Sequence, residues 1–139
     1  MVDITITYSG DLHTSATHGP SGVVIETDAP VDNQGRGECF SPTDLVATAL
    51  GTCMLTYMGM AARRQGWDLA GTTVRVQKEM VADPLRRIGR ITVTITLNRV
   101  YDDREMKILA NSVTSCPVRL SISDMIEVPV HFHQGPAEG

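Results

Sequence analysis

The side chains in this sequence with most chemistry to offer are three cysteines, Cys39, Cys53 and Cys116, and the histidine pair His131 and His133. A thiolate is a nucleophile towards peroxide oxygen, and a second thiol in reach converts the resulting sulfenic acid to a disulfide. Cys53 lies in "FSPTDLVATALGTCM", an apolar run in which Asp44 is the only charged residue, and Cys116 lies in "SCPV". Pro117 suits the first position of a short helix, which places Cys116 at a helix N-terminus, where unpaired N–H groups favour the anion. Cys53 sits twelve residues into its helix, about 18 Å along the axis, too deep for the helix terminus to act on it. Its thiolate needs a stabilising group from elsewhere in the fold. The competing reading for each thiol is structural, because free cysteine is among the most buried residue types. For Cys39, which ends a polar loop, the expected role is none, with a redox partnership to Cys53 as the alternative.

Other chemistries fare less well. His131 and His133 flank Phe132 and point the same way on a strand, and with two thiols they would complete a Cys₂His₂ set. The close cysteine pair typical of structural zinc is absent, so no metal is expected. His13 and His18 read as exposed polar residues. No Gly-x-Ser-x-Gly and no phosphate-cradling loop is present, so neither a serine hydrolase nor a nucleotide cofactor is expected. A net charge of −4 with no basic run gives no reason to expect nucleic acid or an anionic membrane as partner. The alternating N-terminus "MVDITITYSG" does not read as a signal peptide. A reducing cytoplasm is therefore the expected compartment, and structural disulfides are not expected there.

The elements that must position the thiols follow from periodicity. Strands are predicted at residues 2–8 and over "VVIETDAP", with a turn at Gly19-Pro20-Ser21-Gly22 and the Gly-rich loop "VDNQGRGE" after them. Ser41-Pro42-Thr43-Asp44 has the capping-box pattern, and a helix is predicted from about 42 to about 65, with Gly66 as terminator. "TTVRVQKEMVAD" and "RRIGRITVTITLNRV" alternate at period two and form a predicted hairpin turning near Asp83-Pro84. "DDREMKILANSVTSC" is helical, "CPVRLSIS" a short helix or turn, and "IEVPVHFHQ" a last strand. The order β-β-α-β-β-α-β predicts a single α+β domain over 1–139, a mainly antiparallel sheet of about five strands with one face on two helices.

Residues 45–62 are uncharged and reach the length of a membrane span. Two glycines, three threonines and no flanking basic or aromatic belt favour a central helix wrapped in protein instead. A single sheet cannot cover such a helix on all sides. A second copy of the chain is the expected cover, giving a homodimer with the long helix near the two-fold axis.

"FSPTDLVATALGTCMLTYMGMAA", the loop "HGPSG…TDAPVDNQGRGE" before it and "CPVRLSIS" after it resemble the OsmC/Ohr superfamily of thiol-dependent hydroperoxide reductases. The resemblance spans essentially the whole chain, and the "SPTDL" form is similar to the OsmC-like, YhfA-type branch. It implies an intertwined α+β homodimer, antiparallel sheets packed on two central helices, and sites at the subunit interface. It further implies that Cys53 is the peroxidatic thiol and Cys116 the resolving one, with a hydroperoxide as substrate and a lipoyl-type or thioredoxin-type dithiol as reductant. The family's peroxidases orient an arginine with a glutamate that follows the helix-start proline; this chain has Thr43 there, then Asp44. Arg36 and Glu38, in the loop leading to the helix, are the candidate substitutes for that ion pair. A non-catalytic module holding a small apolar or thiol ligand is the alternative function.

Overall fold

The computed structural model describes residues 1–135, and the chain divides into two compact units, one spanning Met1–Val46 and one beginning at Ala47. In the first, strands β1 (Ile4–Gly10), β2 (His13–His18) and β3 (Val24–Asp28) form an antiparallel three-stranded sheet in the order β1-β2-β3. β2 is absent from the sequence expectation. "HTSATH" carries no large apolar residue, so its alternation is invisible to hydropathy, and pairing with both neighbours makes it a strand. After β3 the chain makes a 3₁₀ turn at Val31–Asn33 and doubles back. Gly37 N–H donates to the Ala29 carbonyl, and a Cβ on Gly35 would fall 1.7 Å from that same oxygen. Only glycine allows the loop to lie this close to the end of β3.

Helix α1 (Pro42–Gln65) starts where the capping pattern places it. Asp44 N–H donates to Ser41 Oγ (3.1 Å) and Ser41 N–H donates to Asp44 Oδ2 (2.9 Å), so the shorter aspartate completes the reciprocal box. In the second unit, β4 (Thr73–Val81) and β5 (Arg87–Thr96) are the expected hairpin, and β6 (Val130–His133) pairs with β5 in parallel. The single five-stranded sheet of the sequence reading is therefore replaced by two separate three-stranded sheets, the second of them mixed. The parallel pairing follows from connectivity: helices α2 (Asp103–Val113) and α3 (Pro117–Ser121) intervene between β5 and β6, allowing the chain to return to the starting end of the sheet.

The core of the second unit is aliphatic. Central strand β5 buries Ile91, Val93 and Ile95 completely, and Leu97 follows in the same register. α1 contributes Ala47, Leu50, Met54, Met58, Ala61 and Ala62, a stripe at helical spacing. Gly51 belongs to that stripe and marks where the helix crosses β4. A Cβ there would meet Val76 Cγ1 at 2.9 Å and Val74 Cγ1 at 3.3 Å. α2 begins with a complete Asp102/Glu105 capping box and buries Leu109 and Val113. By length and composition α1 could cross a membrane, and 39% of its apolar window is buried within the chain. Thr52, Thr56 and Met60, spaced four residues apart, form the exposed line along it.

Candidate active site

Two elements of the second unit bring thiols together. Cys53 lies one residue before the buried Met54 on α1 and is half-buried. Cys116 is fully buried and forms the N-cap of α3, with Pro117 as the first helical residue, as its position before a proline predicts. Cys53 lies close enough to Cys116 to act on its acidity, and both are free thiols in this structure.

The acidity of Cys116 departs from the local-field expectation. Burial pushes its thiol above the ordinary range, and the neighbouring Cys53 sulfur pushes it further. The backbone N–H groups of Arg119 and Val118 pull it down without reversing the sign. A five-residue helix offers little dipole, and the loss of water around a fully buried sulfur outweighs it. At neutral pH the buried partner is thus a thiol.

Arg119 escaped the sequence reading. It stands one turn after Cys116, its Nη2 donates to the Ile126 carbonyl (3.4 Å), and its Nη1 is buried without a partner. A buried guanidinium nitrogen with no acceptor is uncommon. The sequence signal was its place in "CPVR", a cation next to a thiol at a helix start.

Arg36 and Glu38 lie in the first unit, and both engage Asp28. The Arg36 guanidinium is 3.7 Å from Asp28 Oδ1, and Glu38 N–H donates to Asp28 Oδ2 (3.2 Å). His131 and His133 are both exposed on β6, and neither joins a metal-ligand grouping among the described residues. His13, expected to be exposed, is instead largely covered and bonded to Asp28.

Two cavities of the second unit lie along α1. A space of about 120 Å³ lies between α1 and β4, bounded by Thr48, Gly51, Thr52, Leu55, Val74 and Val76. A wider groove of about 640 Å³ runs along the C-terminal half of α1, past Thr56, Met60, Arg63 and Trp67. Thr56 and Met60 follow Cys53 by three and seven residues, so the groove shares its side of the helix.

An α+β chain whose long helix carries a thiol near a buried Cys-Pro thiol defines a class of small dithiol proteins. Residues 35–131 match the family described as OsmC-like protein, and the chain belongs to that family. Similar over 96% of both chains, at 51% identity and a TM-score of 0.91, is a protein from Psychrobacter arcticus 273-4 provisionally described as an osmotic stress induced and detoxification response protein. The fold is shared with an organic hydroperoxide resistance protein OsmC from Legionella pneumophila, at 12% identity and a TM-score of 0.78 over 96% of each chain. It is shared too with the organic hydroperoxide resistance protein OhrB of Bacillus subtilis, at 14% identity and a TM-score of 0.69 over 95% of this chain and 97% of that one. No curated protein matches the chain.

Proposed function

We propose that this protein is a thiol-dependent hydroperoxide reductase in which Cys53 is the peroxidatic thiol and Cys116 the resolving thiol. The observation that carries this reading is the nearness of the half-buried Cys53 to the buried, protonated Cys116 thiol, whose acidity it lowers. The less buried sulfur is the one a peroxide reaches, and the buried thiol nearby is the one to resolve it.

The Cys53 thiolate attacks one peroxide oxygen, the O–O bond breaks, and the alkoxide leaves, taking up a proton to become the alcohol. Cys53 is then a sulfenic acid. Cys116 loses its proton as its sulfur bonds to that of Cys53, and the hydroxyl group departs with that proton as water. An external dithiol, of lipoyl or thioredoxin type, returns two electrons and two protons and restores both thiols. A reducing compartment such as the cytoplasm suits that cycle.

A homodimer completes the proposal. β1 leaves Ile4, Ile6 and Tyr8 more than half exposed, and α1 leaves its Thr52/Thr56/Met60 line uncovered. Apolar strand faces and a helix line of small uncharged residues favour a second copy as cover. A partner chain over α1 would also supply a wall beside Cys53 for an organic substrate.

Cys53→Ser, assayed with cumene hydroperoxide and hydrogen peroxide and a dithiol reductant, tests activity, site and substrate class together. The reading predicts loss of peroxide-dependent thiol consumption, and in the parent a faster rate with the organic peroxide. Unchanged consumption in the variant contradicts it and favours a binding module.

A further inference from the structure

The first unit contains a second cluster of reactive side chains, which the peroxidase reading does not use. His13 on β2 stands opposite Asp28 on β3 in the strand register, and their Nδ1 and Oδ1 are 2.7 Å apart. Cys39 joins them from the loop, because Asp28 N–H donates to the Phe40 carbonyl (3.1 Å) and Gly35 and Gly37 fold the intervening chain onto Ala29. Its thiol donates to Asp28 Oδ2 at 3.3 Å. The imidazole nitrogen, carboxylate oxygen and sulfur all lie within 4.8 Å of one another.

Two features separate this cluster from an ordinary ion pair. Asp28 is 1% exposed, so its carboxylate is a buried charge and needs compensation. The other imidazole nitrogen, Nε2, faces Glu26 Oε1 at 3.2 Å. A carboxylate on the far nitrogen is the arrangement that orients a metal-ligating histidine and fixes its tautomer.

We propose that His13 Nδ1, an Asp28 carboxylate oxygen and Cys39 Sγ form a three-ligand site for a divalent transition-metal cation, zinc by donor type, with Glu26 orienting the imidazole and the fourth position open. Nitrogen, oxygen and thiolate donors together suit zinc. Around a tetrahedral ion these atoms stand roughly 3.3–3.7 Å apart, given bonds of about 2.0–2.3 Å. Cys39 Sγ is 3.3 Å from Asp28 Oδ2 and His13 Nδ1 is 2.7 Å from Oδ1, so thiol and imidazole meet opposite oxygens of one carboxylate, and the three donor atoms, within 4.8 Å of one another, need shifts of about an ångström to close around an ion. Arg36, 3.7 Å from Asp28 Oδ1, opposes a cation there. Its side chain is 49% exposed and is free to turn into solvent, and a pair that long and that wet holds it weakly. The bound ion ties the loop to the sheet just ahead of the Ser41 cap.

The test uses full-length reduced protein titrated with cobalt(II), which reports a thiolate ligand by charge-transfer absorption in the near ultraviolet, and with zinc(II) in competition. The proposal predicts one equivalent bound per chain, a thiolate–cobalt band in the parent and in the Cys53→Ser/Cys116→Ser double variant, and loss of that band in Cys39→Ser. His13→Gln is expected to weaken zinc binding. Glu26→Gln, at a side chain 62% exposed and so safe for folding, is expected to keep the band and weaken zinc binding about 10–100-fold. Far-ultraviolet circular dichroism checks that each variant is folded. No band in the parent, a band that survives Cys39→Ser, or a band that disappears with Cys53 and Cys116 overturns the site. These outcomes are independent of peroxidase activity.

Discussion

A thiol at the first turn of a helix gains from the unpaired N–H groups there, and Cys116 has two of them, from Arg119 and Val118. Its acidity nevertheless moves the other way, because burial and the adjacent Cys53 sulfur act on the same atom and prevail. That outcome divides the labour between the thiols. It predicts that in reduced protein at pH 7–8 iodoacetamide labels Cys53 at least about tenfold faster than Cys116, since only thiolates react. Labelling of Cys116 should rise only above the ordinary thiol range near 8.5, and peptide mapping across pH reads both rates. Equal rates at neutral pH would contradict the assignment. The sign also holds for stability. A folded value above the unfolded one leaves this contribution in place below about pH 8.5 and removes it as pH rises through the folded value. The two cysteines were legible in the sequence as chemistry, since Cys-Pro and a thiol in an uncharged helix are local patterns. The lowered acidity of neither Cys116 nor Cys39 was legible, because desolvation is set by what packs around a residue. Asp28 was missed for the same reason: in "VVIETDAP" it reads as a strand's polar end, and only the loop returning through Gly35 and Gly37 buries it.

At the scale of elements, α1 is positioned by its two ends and one contact. The Ser41/Asp44 box starts it, Gly66 (φ +82°) ends it, and Gly51 sets how closely it lies on β4. Alanine at 51 would gain roughly 1 kcal/mol in helix propensity. It would also force a methyl group against the stiff Val74 and Val76 side chains, a conflict worth about 1–3 kcal/mol. The expected net result of Gly51→Ala is a loss of about 1 kcal/mol, read as a lower urea midpoint, with slower resolution of oxidised Cys53 because that residue lies two positions on. A midpoint at or above the parent's would show that the helix lifts freely. The helices and the β4–β5 hairpin were readable because caps and period-two alternation are local signals. β2 was not, since its Thr, Ser, Ala and His residues alternate without contrast in hydropathy. Nor was the division into two sheets, which depends on which strands pair, not on where strands occur.

For the whole molecule the sequence and the structure agree on one imbalance. The long helix is too apolar for what covers it within a single chain, and β1 exposes Ile4, Ile6 and Tyr8. The proposed homodimer predicts a sedimentation mass of twice 15.1 kDa at micromolar concentration, and a monomer would remove the proposed wall of the substrate pocket. Membership of the OsmC-like family rests on most of the chain, and the central chemical claim rests on two neighbouring thiols. The most direct test is mass spectrometry of protein treated with one equivalent of cumene hydroperoxide and then blocked and digested. The account predicts a Cys53–Cys116 disulfide in the parent, a trapped Cys53 sulfenic acid in Cys116→Ser, and neither species in Cys53→Ser. Oxidation that spares Cys53, or a disulfide that joins Cys39 in place of Cys116, would contradict it.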